Sequence, residues 1–319
     1  MAKIKTRRYY LYYLLRVAGF LVGLLPIRLA TSLGSFFGGI GFHILGKQRT
    51  ITLDNLKDAF PEKSETEIRA IGKKIYSNIA GNFTELAHIY KLNKGNIDLW
   101  VTPHGLHKLD EAFLKGKGVI VLTAHFGNWE LVGAYMRMKG YEGATIVRKL
   151  YFYKYDRYLK SIRAIHDVGI IDRDDSPKKM LKLLKDNKVL GMLADQDIES
   201  IDGVFVDFFG KPAYTPVAPV KIAMVSGAPI IPCYMIRNQD NRYEYFVDEP
   251  IYALPGQNKE DAIKFYTQLW TRVLESYIIK YPDQWVWMHR RWKTKPEKEI
   301  TKIQETITLP DGRQANNNQ

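Results

Sequence analysis

The chain has 319 residues, 46% hydrophobic and 25% charged, which fits one large domain or two modest ones and excludes a disordered chain, a collagen-like chain and a multi-span membrane protein. Lys plus Arg is 47 against 34 Asp plus Glu, a net charge of +13, and such a surplus favours nucleic acid, anionic lipid headgroups or an acidic carrier protein as partner. A single cysteine, Cys233, excludes an internal disulfide and a cysteine-rich zinc module and fits a reducing compartment.

The N-terminus is basic (Lys3, Lys5, Arg7, Arg8) and leads into an apolar stretch from Tyr9 to Ile27, interrupted by Arg16. A second, glycine-rich stretch runs from Leu29 to Gly46. Tyr9–Ile27 only just reaches the ~20 residues a spanning helix needs. The flanking charge would hold Met1 on the cytoplasmic side. A signal peptide fits less well, because the segment behind stays apolar. An interfacial helix, with Tyr9, Tyr10, Tyr12 and Tyr13 at headgroup depth and Arg16 snorkelling, is the third arrangement. A buried helical hairpin is the alternative to all three. The sequence thus divides into an N-terminal helical anchor (1–46), a main domain (47–300) and a polar tail (301–319).

Ser64–Glu67 has the pattern of a capping box, and Ile68, Ile71, Ile75, Ile79, Phe83, Leu86 and Tyr90 keep helical spacing behind it, predicting one long helix over 65–92. Gly118–Ala124 is a short β-branched run, hence a buried strand. Asn128 caps a helix to about Lys139. Further strands are expected at Ala144–Val147, Gly169–Ile171, Val189–Ala194, Val204–Phe208, Ile230–Ile236 and Tyr243–Val247. Helices are expected at Tyr153–Val168, after the Ser176-Pro177 and Thr215-Pro216 cap-plus-proline signals, and at Lys259–Lys280. Gly227 ends the helix after Pro216. Strands alternating with helices predict an α/β domain around a mainly parallel central sheet flanked by helices.

There is no phosphate-loop motif, no G-x-G-x-x-G behind a predicted strand, no G-x-S-x-G elbow and no H-E-x-x-H. His104 and His107 form an H-x-x-H pair without supporting carboxylates or cysteines, so no metal is expected there. Aromatic-interleaved basic motifs of RNA-binding modules are missing, which argues against nucleic acid.

The informative segment is Thr123-Ala-His125-Phe-Gly-Asn-Trp-Glu130. His125 follows a strand, at the carboxyl end where open α/β sheets place their sites. Glu130 lies just inside the next helix, from where it could hold one ring nitrogen and leave the other as a base. Gly127 would allow close approach of a substrate, and Asn128 would cap a helix whose N-terminus carries partial positive charge.

The H-F-G-N-W-E block resembles the H-x4-[DE] block of the glycerolipid acyltransferase superfamily. It is most similar to the bacterial branch containing the late acyltransferases of lipid A biosynthesis (lauroyl and myristoyl transfer) and the mannolipid acyltransferases. The resemblance runs from about Arg7 to Lys295. It includes Asn55-Leu56 through Phe60-Pro61, Arg148–Leu150, Arg163 followed by Gly169, Asp195-Gln196-Asp197, Phe208-Phe209-Gly210, and Tyr281-Pro282 through Trp285-Val-Trp-Met-His-Arg290. Lys149 departs from it, standing where many members carry proline.

The resemblance implies a glycerol-3-phosphate acyltransferase-like fold at the cytoplasmic face of a bacterial inner membrane. It also implies transfer of a fatty acyl chain from acyl carrier protein or acyl-CoA to a glycolipid hydroxyl. His125 would be the general base and Glu130 its orienting partner, with no cofactor, metal or protein nucleophile. Oxyanion donors would come from backbone N–H groups near Gly127 or a nearby arginine. Arg148 and Arg163 suit phosphate or carboxylate recognition. Asp195-Gln196-Asp197 could bind sugar hydroxyls, orient Arg163 or hold a cation. Phe208-Phe209 would shape an acyl pocket or pack as core. Trp285, Trp287 and Trp292, with His289, Arg290 and Arg291, could form a membrane-interface belt; alternatively the tryptophans are the core of a last strand and the cations are surface. Lys178, Lys179, Lys182, Lys185 and Lys188 make a basic helix face, either simply solvated or facing an anionic bilayer or an acidic carrier.

Overall fold

The computed structural model describes residues 6–254, 256 and 258–296; the expected polar tail lies outside them. Seven strands form the central sheet: β1 (Val101–His104), β2 (Val119–Thr123), β3 (Gly143–Val147), β4 (Gly169–Asp172), β5 (Val189–Leu193), β8 (Ile230–Arg237) and β9 (Tyr243–Val247). Their spatial order is β1-β9-β8-β2-β5-β3-β4. The five from β8 to β4 are mutually parallel, and β9 returns antiparallel to β8 with β1 parallel beside it. Every residue of β2 is buried, as expected of a central parallel strand covered on both faces. The helices α5 (His107–Phe113), α6 (Trp129–Met138), α7 (Tyr153–Ala164), α8 (Pro177–Lys185), α9 (Ala218–Ser226) and α10 (Lys259–Lys280) lie around this sheet.

The local signals worked where they carry a side-chain cap. Ser64 and Glu67 close the capping box at the start of α4 (Glu65–Leu86), Asn128 caps α6 and Ser176 caps α8 with Pro177 in its first turn. Gly227, at φ 72°, ends α9. The predicted helix over 65–92 is shorter than expected, giving way after Leu86 to a 3-10 turn at Ile89–Lys91. Thr215-Pro216 is no helix start. Both residues end β7 (Lys211–Pro216), which pairs antiparallel with β6 (Gly203–Phe208) in a separate ribbon. The Thr215 hydroxyl instead accepts a 2.5 Å hydrogen bond from buried Arg291.

The N-terminal stretches form α1 (Arg7–Leu24) and α2 (Ile27–Ile44), followed by α3 (Gly46–Ala59). Among the described residues no single helix is long and apolar enough to cross a membrane. One face of α2 is sealed against α4: a Cβ added at Gly38 would stand 2.4 Å from the Tyr76 carbonyl, and one at Gly34 2.5 Å from Thr84. The opposite face presents Leu29, Leu33, Phe36, Phe37, Ile40 and Ile44 to the exterior. α2 is thus buried along a glycine seam and apolar outside it.

Candidate active site

The site grows out of the pairing of β2 with β5. Thr123 lies opposite Leu193 in register, so the residues two positions further along, His125 and Asp195, emerge side by side at the carboxyl ends of adjacent parallel strands. The imidazole Nδ1 is 2.9 Å from the Asp195 carboxylate. The same carboxylate accepts the His125 backbone N–H at 3.0 Å and the Trp285 indole N–H at 2.9 Å. Three N–H groups converging on a fully buried carboxylate keep it ionised. Burial would raise its pKa, but the charge and hydrogen bond of His125, helped by His289 and Trp285, hold it far below the usual carboxylate range.

Burial by itself would depress the pKa of His125. The Asp195 charge and hydrogen bond, with a further contribution from the Glu130 charge, outweigh it and raise the imidazole above its ordinary value of 6.5. An ionised Asp195 accepting from Nδ1–H fixes the tautomer and leaves Nε2 as the acceptor.

The expected His125–Glu130 hydrogen bond is absent from this arrangement. Glu130 is gripped by Arg163 of α7 through two bonds, Nε to Oε2 at 3.0 Å and NH2 to Oε1 at 2.6 Å. A charge-assisted fork of this kind outcompetes a single bond to a neutral ring, so Glu130 acts on His125 through space. Arg163 is correspondingly occupied by Glu130 and not by Asp195. Asp195 is 1% exposed, too buried to meet sugar hydroxyls. Asp197 is also taken, accepting the Thr294 N–H and hydroxyl at 2.7 Å each. Among the described residues no cluster of His, Cys, Asp and Glu could hold a metal ion.

A cleft of about 1160 Å³ opens over the dyad, lined by His125, Glu130, Arg148, Arg163 and Gln196, with Arg173, Lys221 and Lys293 among its other wall residues. Arg148, at the end of β3, is exposed on this cleft as expected from its position. The Gln196 amide nitrogen lies 3.2 Å from each ring nitrogen of His125 and 2.8 Å from Nε2 of His289. With Nδ1 of His125 turned to Asp195, that amide can donate only to an Nε2.

Gly127 and Asn128 serve the scaffold. Gly127 sits at φ 56°, and a Cβ there would fall 1.8 Å from the Met235 carbonyl of β8. Its N–H is spent on the Gln284 carbonyl, and that of Asn128 on the Met235 carbonyl, so neither is an oxyanion donor. Gly127→Ala is expected to abolish the native site, and circular dichroism with thermal melting should show a markedly destabilised or unfolded protein; a wild-type melting curve would contradict this. Asn128 is 4% exposed. Its amide donates to Glu85 at 2.9 Å and to the Tyr243 hydroxyl at 3.0 Å.

Beneath this turn lies a polar network the sequence did not announce. Asn82 of α4 donates to the Gly127 carbonyl at 2.7 Å. Arg237, its side chain 8% exposed, bonds Asn82 at 2.7 Å and clasps Glu85 with both terminal nitrogens. Tyr243 donates to the same Glu85 carboxylate. The helix that packs along α2 thus also holds the turn that carries His125.

His289 is the residue of the site that sequence reasoning placed elsewhere. Its ring centroid is 5.1 Å from that of His125. Burial lowers its pKa, Asp195 opposes that, and His125 adds to it. The signal available was its place in the Trp285–Arg290 block, read above as a possible interface belt. Trp285 and Trp287 are fully buried and Trp292 nearly so, which makes them core; no strand forms there, only an isolated bridge from Trp285 to Phe126. Phe208 is likewise fully buried and packs on Trp285 and Trp292, so it belongs to the core.

Comparison with known proteins gives the family of the chain. The chain is 27% identical over 293 residues to the lipid A biosynthesis lauroyltransferase of Escherichia coli (strain K12), covering 91% of this chain and 94% of that protein. It is 23% identical over 278 residues to the lipid A biosynthesis palmitoleoyltransferase of the same organism, covering 85% and 87%. A phosphatidylinositol mannoside acyltransferase of Mycobacterium tuberculosis (strain CDC 1551 / Oshkosh) is 29% identical over 135 residues, 41% of this chain and 42% of that protein. The family model described as bacterial lipid A biosynthesis acyltransferase matches residues 2–294. With nearly all of its length matched, the chain belongs to that acyltransferase family.

Proposed function

We propose that this enzyme moves a fatty acyl chain from the thioester of acyl carrier protein or coenzyme A to a hydroxyl of a lipid A-type glycolipid. The observation that carries the reading is His125, oriented by buried Asp195, facing a cleft that Arg148 and Gln196 also line. Nε2 of His125 takes the proton of the acceptor hydroxyl while its oxygen forms a bond to the thioester carbonyl carbon. The tetrahedral oxyanion collapses, the C–S bond breaks, and the departing sulfur takes the proton back from the imidazolium. Once the acceptor hydroxyl occupies Nε2 of His125, the Gln196 amide, 3.2 Å from that nitrogen in the free site, donates to the oxyanion instead. Arg148 meets a phosphate of the acceptor. Glu130 adds negative potential and holds Arg163 in the cleft wall.

The work site is the cytoplasmic face of the inner membrane, with α1 and the outer face of α2 lying in the headgroup region. Support comes from their exposed apolar side chains, including Tyr10, Leu14, Phe20 and Leu24 on α1, together with Arg7 and Arg16. A phosphatidylinositol mannoside or related glycolipid is the second acceptor class, favoured by the match to the mycobacterial enzyme.

The test uses purified protein in detergent, labelled acyl carrier protein and acyl-CoA, and an acceptor panel headed by a lipid A precursor, with His125→Ala in parallel. Transfer to the precursor by the wild type alone is expected. Transfer to the mannoside instead would move the acceptor assignment, and no transfer to any acceptor by folded protein would overturn the reading.

A further inference from the structure

The stretch between β3 and the first turns of α7, Arg148-Lys-Leu-Tyr-Phe-Tyr-Lys-Tyr-Asp-Arg-Tyr158, carries four cations against one carboxylate and five aromatic residues. Asp156, that carboxylate, is committed locally: it accepts the Leu150 N–H at 3.1 Å and pairs with Lys160 at 3.1 Å. Leu150, Tyr151 and Tyr153 are 43%, 63% and 48% exposed, while Phe152 between them is 3% exposed. The segment is therefore anchored by one buried ring, with Leu150, Tyr151 and Tyr153 turned outward and Tyr155 and Tyr158 half-buried.

What buries Phe152 is α1. Its ring meets those of Tyr9 and Tyr12 edge-on at 5.1 and 6.3 Å. The Arg8 guanidinium lies 4.5 Å over the Tyr151 ring and that of Arg16 4.6 Å over Tyr158. Lys154 donates to the Tyr13 hydroxyl at 2.9 Å. The exposed rings of Tyr151 and Tyr153 thus continue the exposed apolar surface of α1. At its other end the segment is the rim of the active-site cleft, since Arg148 and Leu150 line it.

We propose that Arg148–Tyr158 is a second membrane contact, contiguous with the outer surface of α1, that seats the mouth of the cleft on an anionic bilayer. The occupant is a lipid surface: tyrosines interleaved with Lys and Arg match the headgroup layer, rings in the interface and cations on anionic lipid. A glycolipid acceptor then enters the cleft past Leu150 without leaving the bilayer. This last step rests on the acyl transfer proposed above; the membrane contact does not.

The experiment compares the full chain with Tyr151→Asp/Tyr153→Asp, whose side chains are exposed and lie outside the cleft lining, and with Tyr151→Trp/Tyr153→Trp. Flotation uses vesicles of phosphatidylethanolamine with phosphatidylglycerol, and circular dichroism verifies the fold. The Asp variant is expected to lose roughly tenfold or more in vesicle partition, and the Trp variant to retain it. A Trp at position 151 should be quenched by brominated lipid in vesicles. Equal partition of wild type and Asp variant, with no quenching of that Trp, would overturn the proposal, and neither readout depends on turnover. Where transfer is measurable, the Asp variant should lose activity on acceptor embedded in vesicles and keep it on the same acceptor in mixed micelles. An equal loss in both would overturn direct entry from the bilayer.

Discussion

Asp195→Asn should lower transfer by about 10⁴-fold, within reach of the ~10²–10⁴-fold loss from removing the base itself in His125→Ala. The amide cannot accept all three N–H groups that converge on the carboxylate, and it removes the charge that stabilises the imidazolium. The pH profile separates this role from a packing role. As the proposed base His125 would act only when neutral, so activity should fall as pH drops through its pKa, which Asp195 holds above 6.5. Without that charge, burial dominates, and the acidic limb should move below 6.5 in Asp195→Asn while the plateau drops. Glu130→Gln should shift the limb in the same direction by less, because Glu130 acts without a hydrogen bond. A limb that moves more in Glu130→Gln than in Asp195→Asn would return the orienting role to Glu130.

Glu85→Ala should cost about 3–5 kcal/mol of stability, the range for stranding one partner of a buried ion pair. Arg237 would keep only its bond to Asn82, and Tyr243 and Asn128 would lose an acceptor together. Removing Arg237 as well should cost far less than the two single losses combined, since the second substitution takes away the stranded charge. Urea or thermal unfolding of the four proteins of the cycle measures the coupling, and additivity within about 0.5 kcal/mol would refute it. Activity should fall with stability, because Asn128 and Gly127 lean on this network just ahead of α6.

How far the sequence could be read depended on whether a residue's partner lies nearby in the chain. β2, β5 and β8 were legible because parallel strands covered on both faces become short β-branched runs. β1 was not: only Val101 of its four residues is buried, and it contains Pro103. β7 hid behind Thr215-Pro216, which read as a helix start but ends a strand of a two-stranded ribbon, where an edge tolerates proline. At the site, H-x4-E put His125 and Glu130 in view, since both lie within one strand–turn–helix. The carboxylate that bonds the ring comes from a neighbouring strand, and strand order is a property of the assembled sheet. Asp195 was still singled out at a strand's carboxyl end. Two facts together, each residue two positions past a strand and the two strands adjacent, would have paired it with His125. His289 arrives from a segment without regular structure, where periodicity has nothing to report.

The bridge from Phe126 to Trp285 has a consequence for the order of biosynthesis. The Val286 N–H bonds the His125 carbonyl, the Gly127 N–H bonds the Gln284 carbonyl, and the Trp285 indole completes the shell around Asp195. A nascent chain that has emerged as far as Asp195 owns both dyad residues but none of these clasps. At about 5–20 residues per second, roughly 5–20 s of translation separate Asp195 from His289. Throughout that interval the ribosome carries a histidine and an aspartate without a site. The base proposed above is therefore completed only when this last piece of the wall docks.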